Sequence, residues 1–157
     1  MKMQDFVVKD AIVANLQATE RTAAIKELVS ALVSAKAIAA ADGDVIARAI
    51  TEREKQGSTG FGKGVAVPHV KHESVPRMMA TIGRSATGID FAALDRAPVY
   101  SVVMLLSPPD KPDQHLQAME AIFRHLQRDN FRRFLRQSET PEAIWDLLQE
   151  ADQQAVR

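Results

Sequence analysis

The chain of 157 residues is 46% hydrophobic and 25% charged, a composition typical of globular rather than disordered proteins. Twenty basic and twenty acidic residues give a formal net charge of zero, so no overall field favours nucleic acid or an anionic membrane as a partner. Cysteine is absent, which excludes disulfides, thiol catalysis and cysteine-based zinc sites. The length favours a single domain over residues 1–157. Since no apolar segment is long enough for a signal peptide or a membrane span, we expect a cytoplasmic protein without direct membrane insertion.

The first third of the chain predicts two helices. The apolar residues of the first recur at helical spacing and form one stripe, which consists of Ile25, Leu28, Val29, Leu32 and Val33. The second, over residues 42–57, can begin with Asp42 or Asp44 as its N-cap and end at Gly57.

The middle of the chain changes to strand-like patterns. Residues 64–70 (GVAVPHV) and 78–85 (MMATIGRS) each predict a short strand. Residues 97–109 (APVYSVVMLLSPP) form a nearly continuous apolar run that is rich in β-branched residues and stops at two prolines, as expected for a central strand buried on both faces. The intervening residues 85–98 predict a loop, with no more than a short strand or a helical turn.

The last third returns to helical spacing. Residues 112–129 predict a helix with apolar positions at Leu116, Met119, Ile122, Phe123 and Leu126. A short helix follows over residues 130–137, and a final helix begins with Thr140 as N-cap and Pro141 at its first position. This order of elements predicts an α/β fold, a three-layer sandwich in which a central mixed sheet of about four to five strands is flanked by helices.

Four of the seven glycines lie between Gly57 and Gly64, directly ahead of Pro68 and His69. Their spacing resembles a phosphate-binding loop. However, no predicted strand precedes them, no Lys-Ser/Thr pair follows, and they lead into a strand instead of a helix, so we expect no nucleotide site. Because glycines allow close backbone approach, they can bring free N–H groups towards an anion bound at the imidazole.

His69 has three interpretations from the residues alone. Pro68 restricts the backbone on both sides, so His69 sits on a stiff strand end that suits a nucleophile. It can equally be a turn residue. As a metal ligand it would need His72 and Glu73, which it meets only in an irregular segment because strand spacing sends His69 and His72 to opposite faces. We expect His72 to be exposed.

Two further histidines lie on the predicted helix over residues 112–129. His115 falls in its first turn, where free N–H groups and the positive end of the helix dipole favour a neutral imidazole and attract anions. Its alternative role is a helix-start residue bonded to a nearby carbonyl. His125 lies about three turns further on, so we expect it at the surface or partly buried, away from any site containing His115.

The stretch EREKQGSTGFGKGVAVPHVKH, residues 52–72, resembles the active-site segment of type-2 enzyme IIA domains of the phosphoenolpyruvate-dependent phosphotransferase system (PTS), the mannitol/fructose family with its nitrogen-regulatory branch. In that family an Arg-Glu pair ends a helix, a Gly-Ser-Thr-Gly-like loop follows, and a strand delivers Pro-His. These positions are Arg53-Glu54, Gly57 to Gly60 and Pro68-His69 here. The likeness continues through TGIDFAALDRAPVYSVVMLLSPPD and HLQAMEAIFRHL and spans essentially the whole chain.

The resemblance implies that His69 accepts a phosphoryl group, through Nε2, from HPr or an HPr-like phosphocarrier protein and then passes it on. By position, His115 corresponds to the second active-site histidine and Arg53 to the arginine near the phosphoryl group. The hydroxyls of Ser58 and Thr59 are possible further phosphoryl contacts, with a simple turn role as the alternative. The alternative for Arg53 is a helix-end arginine that is solvated or bonded to the last carbonyls. This scheme requires no cofactor and no metal.

Two functions follow from the resemblance. The chain is expected to be a regulatory protein of the nitrogen type, whose phosphorylation state selects its target protein. Phosphorylation adds about two negative charges, which change the surface that a target protein binds. The alternative is a stand-alone fructose- or mannitol-type IIA that passes phosphate to the IIB component of a sugar permease. A degenerate, binding-only domain is less favoured, because His69, His115 and Arg53 are all present. Val70 replaces the family's usual small residue and is expected to affect docking, and Phe61 is either a docking contact or a core residue.

Overall fold

A computed structural model of the protein describes residues 1–155 and shows a mixed five-stranded sheet covered by helices on both faces. The helices α1 to α5 span Arg21–Ser34, Gly43–Gln56, Pro112–Leu126, Asp129–Gln137 and Pro141–Ala155. The strands β1 to β5 span Gly60–Gly62, Val65–Ala66, His69–Lys71, Met79–Ile89 and Val99–Ser107. Short 3-10 turns occur at Met3–Asp5, Lys9–Ala11 and Ala40–Asp42. The predicted three-layer α/β fold is confirmed.

Strand β5 is the centre of the sheet. Strand β4 pairs antiparallel with one edge of β5, while β2 and β3 follow one another along its other edge, both parallel to it. The prediction of one strand over residues 64–70 was therefore wrong, because the strand is interrupted at Pro68. Proline has no N–H to donate, but the Pro68 carbonyl still accepts a hydrogen bond from Leu105 N at 3.0 Å, so the chain stays on the sheet.

The glycine-rich segment forms a hairpin rather than an open loop. Gly60–Gly62 is itself a strand, antiparallel to β2, which the sequence did not indicate. The turn requires positive φ at three consecutive residues, with φ of 114° at Gly62, 60° at Lys63 and 76° at Gly64. Glycine adopts this conformation without the penalty of a side chain, which explains two of the glycines that the sequence crowds here.

Strand β4 is longer than predicted and continues to Ile89, into the segment expected to be a loop. Its pairing with β5 is irregular between Arg84 and Ile89, where Gly88 has φ of 97° and its N–H donates to the Ser85 hydroxyl. This bulge breaks the alternation of apolar and polar residues, which is the pattern by which a strand is recognised in a sequence.

The core has two parts, one on each face of the sheet. Helices α1 and α2 cover one face, helices α3 to α5 cover the other, and the N-terminal segment contributes residues to both parts. Residues of β5 alternate between them: Val102, Met104 and Leu106 face the first, and Val103 and Leu105 face the second. The prediction of a central strand buried on both faces is confirmed.

The N-terminal segment lines the outer edge of β4. Val8, Val13 and Leu16 each donate their backbone N–H to a carbonyl of β4, at 2.8, 3.0 and 2.8 Å. Helix α5 holds the start of this segment through Asp152, whose carboxylate accepts from the N–H groups of Met3 at 2.9 Å and of Gln4 at 3.0 Å. The edge strand is thus covered instead of being exposed to pairing with another chain.

The helix ends match the sequence signals in part. Thr140 caps α5 as predicted, since its hydroxyl accepts from Ala143 N at 3.1 Å. Asp42 is the N-cap of α2, but its side chain makes no capping bond, because the preceding 3-10 turn leaves it with helical angles (φ −97°, ψ −10°) instead of the extended ones that capping requires. Within residues 1–155, no helix is both long and apolar enough to cross a membrane.

Candidate functional site

His69 opens strand β3 rather than closing the strand before Pro68, and its half-buried ring is fixed by the backbone behind it. Its Nδ1 lies 2.7 Å from the carbonyl oxygen of Val67. A carbonyl only accepts hydrogen bonds, so Nδ1 carries the proton and Nε2 of neutral His69 keeps its lone pair. Within the described chain Nε2 has no hydrogen-bond partner, which leaves it free to act as a nucleophile.

A buried carboxylate anchors this arrangement from helix α2. Glu54, only 1% exposed, accepts from the backbone N–H of Thr59 at 3.1 Å and from the Thr59 hydroxyl. The Thr59 carbonyl in turn accepts from Val67 N at 3.2 Å, and the Val67 carbonyl accepts from His69. A series of hydrogen bonds through Thr59 and Val67 therefore connects Glu54 to the His69 ring. From the sequence, Glu54 was identified only as the second residue of the Arg53-Glu54 pair, and no role was predicted for it.

His115 faces His69 because β3 and β5 run parallel and end together. His69 pairs with Leu105, Lys71 pairs with Ser107 at the end of β5, and the chain then turns into α3, whose first turn contains His115 as predicted. The two imidazole rings lie 5.7 Å apart between centroids, at 52° to each other. His115 Nδ1 lies 2.7 Å from the Ser107 hydroxyl oxygen, a contact that the sequence does not indicate.

The surroundings of His115 keep it neutral. Burial, together with the nearby His69 and Lys71, which disfavour a second positive charge, lowers the pKa of His115 from 6.5 to about 4. The side chain is only 7% exposed. At neutral pH the site therefore contains an uncharged imidazole that can donate a hydrogen bond to an anion.

The alternation of side chains along β3 separates Lys71 from Val70. Lys71 is two residues from His69 and so lies on the same face of the strand, the side towards His115. Period-two spacing was the signal that could have identified this cation. Val70 packs against the core cluster on the α1–α2 face, away from His69.

The other predicted phosphoryl contacts lie in the loop after α2, and the structure gives each a local bond. The guanidinium of half-buried Arg53 donates to the Gly57 carbonyl at 3.0 Å, near the carboxyl end of its own helix. The Ser58 hydroxyl donates to the Phe91 carbonyl at 3.1 Å, and the Thr59 hydroxyl binds Glu54. Within residues 1–155, none of the three side chains forms a hydrogen bond with His69 or His115.

The two remaining histidines lie outside this arrangement. His72 is half-buried rather than exposed, and its Nδ1 accepts from Ser74 N at 3.0 Å in the turn after β3. His125 is 2% exposed, so the expectation of a surface or partly buried position was wrong. The Asp152 carboxylate on α5 lies 3.6 Å from its Nε2 and gives the buried ring a polar partner. The described residues contain no group of three or more potential ligands placed to hold a metal ion.

An apolar surface lies beside the site. The Phe61 ring in the hairpin contacts Phe123 on α3, with centroids 5.1 Å apart, and is about a third exposed. Leu116, next to His115 on α3, is 60% exposed. Phe61 is thus an exposed residue whose ring contacts α3, and it does not belong to either core cluster.

Comparisons with known proteins identify the family. Residues 5–151 match the model of the family described as phosphoenolpyruvate-dependent sugar phosphotransferase system, EIIA 2. A PTS system fructose-specific EIIABC component of Bacillus subtilis is 33% identical over 97% of this chain, which spans only 24% of that protein. A nitrogen regulatory protein of Bradyrhizobium diazoefficiens is 30% identical over 94% of this chain and 95% of its own length.

The fold is shared with a solved structure. The crystal structure of nitrogen regulatory protein IIA-Ntr from Neisseria meningitidis superposes with a TM-score of 0.81 at 24% identity, over 92% of this chain and 97% of the other. At that identity the superposition shows the fold.

Proposed function

The chain belongs to the EIIA type-2 family of the phosphoenolpyruvate-dependent sugar phosphotransferase system, and on this premise we propose that it is a phosphoryl carrier that accepts a phosphoryl group on Nε2 of His69. The observation that supports this most is the 2.7 Å bond between His69 Nδ1 and the Val67 carbonyl, which leaves the Nε2 lone pair free.

The proposed step is an in-line transfer between two imidazoles. The Nε2 lone pair of His69 forms a P–N bond while the P–N bond of the donor phosphohistidine breaks, and its electron pair returns to the donor ring. The His69 proton stays on Nδ1, where the Val67 carbonyl stabilises the positive charge that the ring acquires. No cofactor or metal ion takes part in this scheme.

The phosphoryl oxygens need donors that compensate their charge. Neutral His115 offers an N–H and does not repel the positive charge that the His69 ring acquires during transfer. Lys71 adds positive charge on the same face of β3. Arg53 enters on the family resemblance, and we propose that its guanidinium leaves the Gly57 carbonyl and forms a bidentate contact with the phosphoryl group. Ser58 and Thr59 instead stabilise the loop.

We propose HPr or an HPr-like phosphocarrier as the donor, docked on the apolar surface formed by Phe61, Leu116 and Phe123. A partner that covers these side chains would also exclude water from the labile P–N bond. We further propose that the chain acts as one domain, because both core clusters share strand β5.

For the downstream role we propose regulation of the nitrogen type. The match to a nitrogen regulatory protein covers 95% of that protein, so the two chains correspond nearly end to end. A second candidate is transfer to the IIB component of a sugar permease, which the 33% identity to a fructose-specific component over 97% of this chain favours. A pull-down with phosphorylated and unphosphorylated protein separates the two, since a IIB partner would itself become phosphorylated and a regulatory target would not.

The carrier function is tested by intact-protein mass after incubation with phosphoenolpyruvate, enzyme I and HPr. The wild type should gain one acid-labile phosphoryl group, and His69→Gln should gain none. His72→Gln is the matched control, because it removes a histidine three residues away and should behave as the wild type. Uptake by His69→Gln at the wild-type rate, or no uptake by the wild type while HPr is phosphorylated, would contradict the proposal.

A further inference from the structure

We propose that Ser107 is a positioning residue: its hydroxyl donates a hydrogen bond to Nδ1 of His115 and holds that ring as the Nε2–H tautomer, with the N–H available to the phosphoryl group on His69. This inference rests on the proposed function for its catalytic consequence. Its structural part, the tautomer of His115, stands independently.

The contact between the two side chains is short and enclosed. Ser107 is completely buried at the end of β5, and its hydroxyl oxygen lies 2.7 Å from Nδ1 of His115 on the first turn of α3. Parallel pairing with β3 places Ser107 beside Lys71, on the face of the sheet that carries His69. The Ser107 hydroxyl therefore contacts the His115 ring at Nδ1, and the His69 ring is a second neighbour of His115.

The direction of this hydrogen bond follows from counting donors. If His115 Nδ1 carried the proton and donated it, the buried Ser107 hydroxyl would have to send its own hydrogen elsewhere, and the described chain offers it no other partner. If Ser107 donates, its hydrogen is satisfied and only an oxygen lone pair remains unused, which costs less than an unpaired buried donor. The proton of neutral His115 then resides on Nε2.

The two histidines of the site thus receive opposite functions from their Nδ1 partners. A carbonyl, which only accepts, fixes His69 with its lone pair on Nε2. A hydroxyl, which can donate, fixes His115 with a proton on Nε2. One ring is prepared to attack phosphorus and the other to donate to a phosphoryl oxygen. The structure therefore explains how two neighbouring imidazoles avoid interchangeable roles.

The tautomer is tested by long-range ¹H–¹⁵N NMR on the unphosphorylated protein at neutral pH, which needs no activity. The wild type should show His115 with a pyridine-type Nδ1 and a pyrrole-type Nε2. His69 should show the opposite pattern, with a pyrrole-type Nδ1 and a pyridine-type Nε2. A protonated Nδ1 on His115 would overturn the inference. This measurement decides the structural part even if the protein takes up no phosphate.

The positioning role is tested by the rate of phosphoryl uptake from phospho-HPr. Ser107→Ala should slow uptake about tenfold, the effect of one hydrogen bond, and should broaden or mix the His115 tautomer signals. Ser107→Thr, which keeps the hydroxyl, should restore most of the rate and the single tautomer. Ser101→Ala removes a buried hydroxyl from the other end of the same strand and should react as the wild type. A wild-type rate and tautomer in Ser107→Ala would overturn the proposal.

Discussion

The two ends of helix α3 each carry a buried histidine, and the two histidines do different work. His115 and His125 are both nearly inaccessible, and burial lowers the pKa of both. His115 faces a second imidazole, a serine hydroxyl and a lysine. His125 faces the Asp152 carboxylate and the ring of Phe131, whose centroid is 5.4 Å away.

The difference shows that burial and a shifted pKa do not mark a functional histidine by themselves. What separates the two is the chemistry around each ring. The neighbours of His115 are His69, Ser107 and Lys71, beside which we propose that the phosphoryl group binds. The Asp152 carboxylate beside His125 accepts from the backbone N–H groups of Met3 and Gln4, so this end of α3 lies next to the contact by which α5 holds the N-terminal segment.

The largest effect is expected when His115 and His125 are each replaced by alanine, which tests the difference between them directly. His115→Ala should slow phosphoryl uptake about 100-fold, the effect of removing one donor to developing charge. It should also lower the free energy of unfolding by about 1–3 kcal/mol, because the buried Ser107 hydroxyl loses its partner. His125→Ala should leave the rate unchanged but lower the free energy of unfolding by about 2–4 kcal/mol, because it leaves a cavity beside Asp152. Uptake kinetics and urea unfolding on both variants check the pair. The account fails if the two variants show the same pattern.

The Asp152 carboxylate is the next test, since it holds both His125 and the start of the chain. Asp152→Ala should cost about 2–3 kcal/mol of unfolding free energy, because two backbone N–H groups lose their acceptor. Amide hydrogen exchange at Met3 and Gln4 should accelerate while phosphoryl uptake stays normal. Unchanged exchange at these two amides would show that the carboxylate does not hold the N-terminal segment.

A smaller effect is expected behind the first histidine. Glu54→Gln keeps one acceptor oxygen but loses the charge, so the free energy of unfolding should fall by about 1 kcal/mol and uptake should slow several-fold as the Thr59–Val67 connection loosens. Glu52→Gln, two residues earlier on the exposed side of α2, is the matched control. Equal behaviour of the two variants would argue against a role for Glu54 in holding His69.

A further prediction is a pH dependence of stability to which the buried histidines at both ends of α3 contribute. The folded pKa of His115 is about 4 against 6.5 in the unfolded chain, so the unfolded state binds more protons between these values. The free energy of unfolding should therefore fall as the pH drops from 6.5 towards 4. The lowered pKa of His125 acts in the same direction, although Asp152 opposes it. Urea titrations across this range should show a shallower fall in His115→Ala and in His125→Ala than in the wild type.

The sequence predicted what depends on periodicity and on local motifs. The helices, the doubly buried strand β5 and the α/β class follow from hydrophobic spacing, and the stretch around Pro68-His69 identified the family. The position of His115 in the first turn of α3 was also predictable, because a proline at position 112 begins that helix.

What the sequence did not reveal depends on contacts between distant segments. Ser107 and Lys71 acquire their places only when β3 pairs with β5, and Glu54 is significant only because the chain folds back through Thr59. His125 was expected at the surface or partly buried because the spacing of residues within α3 does not predict a contact with Asp152, 27 positions later on α5. The continuation of β4 past Arg84 was hidden by its irregular pairing.

The most direct test of the central claim is the position of the phosphate on the phosphorylated protein, read by ³¹P and long-range ¹H–¹⁵N NMR. The account predicts a single phosphohistidine at His69 with the phosphorus on Nε2 and the proton still on Nδ1, because the Val67 carbonyl holds that proton. Phosphorus on Nδ1 of His69, or on His115, would contradict it.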